Sequence, residues 1–159
     1  MNRRAFLFAL PPLALAGCGF RLRGVNAMPF ISAWVEADEG SLLGQQLREQ
    51  LHDQRKLHAG SKGAPLIIHL SQEKLDKQIL SLSGAGRVRE YRLQYAVKMD
   101  VRDAYGKILL EAIPLFAQRD FTYDDSQALA KEAEEASLRR DMAIDLARQA
   151  LTRIAHGRL

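Results

Sequence analysis

The stretch Glu90-Tyr91-Arg92-Leu93-Gln94-Tyr95-Ala96-Val97-Lys98-Met99-Asp100-Val101-Arg102 alternates residue by residue between apolar and mostly polar side chains. Successive side chains of a strand point to opposite faces. This run therefore sets Tyr91, Leu93, Tyr95, Val97, Met99 and Val101 on one buried face, and Glu90, Arg92, Gln94, Ala96, Lys98, Asp100 and Arg102 on a wet one. A strand that is half buried and half wet belongs to a sheet covered on one side, which is the habit of antiparallel sheets. Working backwards, Ser83-Gly84-Ala85-Gly86 reads as a turn, preceded by a strand from Leu66 to Leu82 with Leu66, Ile68 and Leu70 on one face. Its alternation blurs through Glu73-Lys74-Leu75-Asp76, which predicts a bulge there. Working forwards, Asp103-Ala104-Tyr105-Gly106 turns the chain into a strand from Ile108 to about Tyr123, where Pro114 demands an edge position or a bulge.

Two helices and one more strand flank this antiparallel unit. Ile31-Ser32-Ala33-Trp34-Val35-Glu36 predicts a strand over 31–37. Leu43, Leu47 and Leu51 then line one face of a helix capped by Ser41 and ending before Gly60. A long helix starts at Asp125 or Ser126 and runs to about Ala155, with Leu138, Met142, Leu146 and Ile154 as its buried stripe. The order β-α-β-β-β-α gives an α+β fold: a two-layer sandwich with a small, mostly antiparallel or mixed four-stranded sheet and two helices on one face. The other sheet face, with Arg92, Lys98 and Arg102, is left as a solvated surface or a docking surface.

The N-terminus has the layout of an export signal. Basic Arg3 and Arg4 precede an apolar stretch from Ala5 to Ala16, followed by Leu15-Ala16-Gly17-Cys18, which matches the bacterial lipobox at all four positions. The apolar run is too short to span a bilayer, and Pro11-Pro12 would break a helix within it. Residues 1–17 are thus expected to be removed, 18–30 to form a lipid-anchored segment, and 31–159 to form a single domain. Cys18, the only cysteine, would carry the S-diacylglycerol and N-acyl groups. More than one acyl chain is what stable anchoring requires. The Arg3-Arg4-Ala5-Phe6-Leu7 string also resembles a twin-arginine signal, so the export route stays open.

Without residues 1–17 the chain carries 21 basic and 19 acidic residues, too even a balance for a nucleic-acid binder. His52, His58, His69 and His156 are not spaced as a metal pair, and no nucleophile elbow or phosphate loop occurs. The reading is of a non-enzyme with no cofactor and no metal.

Three strings together resemble one family: Cys18-Gly19-Phe20-Arg21-Leu22-Arg23-Gly24, Glu90-Tyr91-Arg92-Leu93, and Ser126-Gln127-Ala128-Leu129-Ala130-Lys131-Glu132. In this order after a lipobox they are similar to the LptE family of LPS-assembly lipoproteins, and the resemblance covers nearly all of the chain beyond residue 17. It implies a lipoprotein on the periplasmic side of the outer membrane, consistent with Gly19 rather than Asp after Cys18. Such a protein sits inside an LptD-type β-barrel, helps it assemble and takes part in lipopolysaccharide delivery. It further implies lipopolysaccharide binding by basic residues at the hairpin tip and near the start of the last helix. Lys131 matches the second place. The tip position falls near Gly84, so its role would pass to Arg87 or Arg89. Lys131 also stands at helical spacing from Glu134 and Glu135, and Arg87 and Arg89 could simply protect a hairpin tip. Arg92, Lys98 and Arg102 are the candidates for docking on the barrel. The alternative is a lipid-carrying auxiliary lipoprotein whose two layers part around acyl chains.

Overall fold

A computed structural model of the chain describes residues 30–157. The 1–17 leader, Cys18 and nearly all of the 18–30 segment lie outside the described residues. Within them, β1 (Trp34–Glu36), α1 (Leu42–Asp53), β2 (Leu66–Leu82), β3 (Val88–Asp103), β4 (Ile108–Thr122) and α2 (Ala128–His156) follow in the expected order. The sheet order is β1-β2-β3-β4, with β1 parallel to β2 and the remaining pairs antiparallel. Both helices contribute buried residues to a single core on one side of this mixed sheet, and the α+β two-layer reading holds.

β3 runs as its pattern predicts. Leu93, Tyr95, Val97, Met99 and Val101 are buried against the helices, and Tyr91 is partly buried at the same face. β1 is shorter than the expected 31–37. Ile31 lies in solvent, and Ala33 makes only an isolated bridge to Leu57, so the ladder holds only from Trp34. Pro114 lies on the edge strand β4, paired with Lys98. A residue without an N–H keeps a ladder intact only when its nitrogen faces away from the neighbouring strand.

The expected bulge is present but begins earlier. The β2–β3 register shifts between Ser71 and Lys74, with Gln72 in the left-handed region at φ 52°. Before it, Leu66, Ile68 and Leu70 face the core; after it, Leu75, Lys77 and Ile79 stand opposite Tyr95, Leu93 and Tyr91. One added residue has moved the core-facing set from even to odd positions. The bulge also brings Glu73 to the buried Tyr95 hydroxyl, which donates to its carboxylate. That hydroxyl in turn accepts from the Leu43 amide at 2.9 Å.

Ser41 caps α1 as expected, accepting from the Gly44 amide at 2.7 Å. Gly44 is required by close approach: a Cβ there would stand 2.8 Å from Ala37 Cβ and 2.9 Å from Ser41 Oγ. The last helix begins later than expected. Asp124 accepts from the Ser126 amide, Asp125–Gln127 form one 3-10 turn, and α-helix starts at Ala128. Its stripe is also broader than leucine spacing suggests. Ala143, Ala147, Ala150 and Leu151 are buried beside Met142, Leu146 and Ile154, while Leu138 is only partly covered.

Candidate functional site

The β2–β3 hairpin closes through the Ser83 amide donating to Arg87 O at 2.7 Å and the Gly86 amide donating to Ser83 O at 2.9 Å. Gly86 has φ 75°, where a side chain would be strained. The last β3–β4 pair is Glu90 with Thr122, and the Tyr123 amide then donates to Arg89 O at 2.8 Å. The hairpin tip therefore projects beyond β4.

Between that projecting tip, the end of β4 and the start of α2 lies an open hollow of about 790 Å³, and Arg87, Arg89 and Lys131 all line it. The three sequence-predicted basic residues are thus brought together. Lys131 is largely enclosed, its side chain 16% exposed, and its Nζ donates to Thr122 Oγ1 at 3.1 Å and Glu134 at 2.9 Å. Pairing with Glu134 is what helical spacing suggested, and Lys131 lines the hollow as well. Glu90 accepts from Ser81 Oγ at 2.7 Å. Hydrogen bonds from the Ser126 hydroxyl and amide hold the Asp124 carboxyl below its usual range. The Arg87 and Arg89 guanidiniums make no ion pair or hydrogen bond among the described residues. Two of the hollow's acids are engaged locally while both arginines remain available to an anion.

Lys77, unmarked in the sequence, fixes the helix that carries Lys131. Its Nζ sits 4.1 Å from the Tyr91 ring centroid, 5.7 Å from Phe121 and 5.8 Å from Tyr123. It also donates to Glu135 at 2.6 Å, while Arg139 donates to the same carboxylate at 3.0 Å. A cation over several aromatic faces and paired with a carboxylate is well held. Glu135 lies one turn beyond Lys131, so this contact sets where the first turns of α2 rest. The signal for Lys77 is its phase with Leu75 and Ile79, visible only once the bulge is placed at Gln72.

On the open face, Arg92 grips Asp120 through two bonds of 2.8 Å. Arg102 Nε lies 2.6 Å from Asp100 Oδ2, and His69 Nδ1 lies 2.7 Å from Asp100 Oδ1. His69 is thus held by a hydrogen bond on this face. Asp100 corrects the expectation of a solvated residue: its neighbours cover it to 7% exposure. Of the three docking candidates, Lys98 alone is exposed and without a partner among the described residues.

Burial pushes the Asp100 carboxyl up, but bonds from His69 and Arg102 outweigh it and hold the group below its ordinary 3.8. Glu135 behaves alike: burial raises it, and Lys77 and Arg139 bring it below 4.5. A carboxylate depressed in the folded state contributes stability that is present above its unfolded value and lost as pH falls through the folded one. Melting temperature is thus expected to fall below about pH 4. The Asp100→Asn, Glu135→Gln double variant, melted across pH 2.5 to 7, should show a shallower acid-side loss.

Among the described residues no group of three or more His, Cys, Asp and Glu could hold a metal ion. No helix there is long and apolar enough to cross a membrane. A family model described as LptE, lipopolysaccharide-assembly, matches residues 28–154. The LPS-assembly lipoprotein LptE of Photorhabdus laumondii is 29% identical over 150 residues, covering 90% of this chain and 80% of its own. Among solved structures, an uncharacterized lipoprotein B of Nitrosomonas europaea superposes with a TM-score of 0.71 at 33% identity, covering 86% of this chain and 90% of the other. The rare lipoprotein B of Shewanella oneidensis reaches 0.65 at 26% identity, with 78% and 93% covered. With a family match running from before β1 almost to the end of α2, the chain belongs to the LptE family of non-enzymatic lipopolysaccharide-assembly lipoproteins.

Proposed function

We propose that this lipoprotein, anchored through Cys18 to the periplasmic side of the outer membrane, plugs and helps assemble an LptD-type β-barrel. In this reading it binds lipopolysaccharide at the hairpin-tip hollow through Arg87, Arg89 and Lys131. The observation that carries the binding site is the meeting of these three cations, 44 residues apart at the extremes, around one open hollow. Lipid A phosphates are dianionic. An arginine meets them with a planar fork of donors and a lysine with a point charge. The plug role is supported by the open sheet face, whose Arg92–Asp120 and Arg102–Asp100 pairs, with exposed Lys98, suit the polar lumen of a barrel. The lipid-carrier alternative needs an apolar cavity between the layers. There Leu43, Leu47, Leu93, Tyr95 and Leu146 fill the core with no exposed surface, and no observation favours a parting of the layers.

The Arg87→Glu, Arg89→Glu, Lys131→Glu variant is expected to weaken lipopolysaccharide binding on the order of a hundredfold, the equivalent of losing two charge-assisted contacts. Unchanged binding removes the site. For the plug, the tagged and lipidated chain drawn from outer membranes in mild detergent should bring one large β-barrel protein in near one-to-one ratio. A chain recovered alone, or with phospholipid, speaks for the carrier reading.

A further inference from the structure

The projecting hairpin tip presents more than charge. Ile79, Leu80 and Leu82 are 58%, 40% and 56% exposed on the last turns of β2. Leu80 is the residue skipped by the register shift between Ile79 and Ser81, and Leu82 pairs with Val88, between Arg87 and Arg89. Leu82 stands on the overhang with Arg87 and Arg89, and Ile79 and Leu80 lie just before it, level with the last β3–β4 pairs; all three aliphatic side chains meet water, and no described residue engages the two guanidiniums. Water-exposed aliphatics on a strand end are an aggregation liability, so their placement beside free cations calls for an amphiphilic partner. A phosphorylated head group satisfies the arginines, and hydrocarbon attached to the same molecule satisfies the aliphatics.

We propose that Ile79, Leu80 and Leu82 form an acyl-chain rim that receives the base of the fatty acyl chains of a single lipopolysaccharide molecule while Arg87 and Arg89 hold its phosphates. This rests on the hollow being the lipopolysaccharide site. It adds what the basic residues alone cannot do, namely distinguish an acylated glycolipid from any other phosphorylated sugar. Charge fixes the head group, and the rim makes affinity depend on the presence of chains.

The test compares intact lipopolysaccharide with its fully deacylated form, using the whole lipidated chain. The Ile79→Ser, Leu80→Ser, Leu82→Ser variant should lose roughly tenfold in affinity for the intact lipid, since covering even about 60 Å² of apolar surface is worth that much. Its affinity for the deacylated form should equal that of the wild type. The Ile79→Val, Leu80→Val, Leu82→Val variant should keep the preference for acylated lipid, and its melting temperature guards against a fold defect. Equal loss by the serine variant on both forms, or no loss on either, overturns the rim. The Arg87→Glu, Arg89→Glu variant separates the two levels of argument. If it binds both forms as the wild type does, the phosphate site itself fails and the rim falls with it. A serine variant that loses binding to phosphatidylglycerol vesicles as strongly as to lipopolysaccharide would make the tip a bilayer contact and overturn the single-molecule reading.

Discussion

Leu146→Ala is expected to lower the unfolding free energy by about 2–5 kcal/mol in urea or guanidinium melts. Leu146 has no exposed surface and lies among Met142, Ala143, Ala147, Ala150 and Ile154, the part of α2 that closes the core. The alanines beside it hold their backbone close to the core, so little can move in to fill the space, and a cavity in a rigid wall is the costlier kind. The same change at half-buried Leu138 should cost about 1 kcal/mol. The contrast follows from the uneven helix: every buried residue of α2 lies at or beyond Met142. Its first half is held by the Lys77–Glu135–Arg139 cluster and by Lys131 on Thr122. Amide exchange should therefore be faster over 128–138 than over 142–154. The half that carries Lys131 is the half that opens at least cost.

Tyr95→Phe is expected to cost about 1–3 kcal/mol although it removes a single oxygen. The Tyr95 side chain is fully buried. Its hydroxyl accepts from the Leu43 amide in the first turn of α1 and donates to Glu73 beside the bulge. Burial, reinforced by Glu73, pushes the phenol up from its ordinary value, so it remains a donor throughout the physiological range. Phenylalanine would leave the helix amide without a partner and a carboxylate facing an apolar ring. A Tyr95→Phe, Glu73→Gln double variant should cost less than the sum of the two single ones, because both break one bond. A strictly additive cycle would mean that the hydroxyl is not held by Glu73.

What the sequence made legible is what repeats. β3 sees the core on one side and water on the other along its length, so its period of two was readable from the residues alone. The Leu43-Leu47-Leu51 spacing and the Ser41 cap were as plain, because a helix start and its apolar stripe are local events. β2 was harder because its phase changes at Gln72, and a left-handed glutamine carries no mark in a one-dimensional pattern. That phase error hid Lys77 on the covered face. Alanines 143, 147 and 150 escaped notice because a residue that packs through close approach lacks the bulk by which core positions are picked out. Asp100 was placed in water by alternation, which records the face a side chain leaves from and not which partners cover it. Arg87, Arg89 and Lys131 were reached only through the family resemblance. Their meeting depends on where β4 delivers the chain, a matter of topology that no spacing encodes.

β4 is a fifteen-residue edge strand, long enough to serve as a template on which a second copy could polymerise. Pro114 stands near its middle with no hydrogen to offer, and its nitrogen must face the open side for the β3 ladder to survive. Any incoming strand meets a gap there, so the free edge is divided into two shorter runs. The chain thus carries its own stopper against fibre growth along this edge.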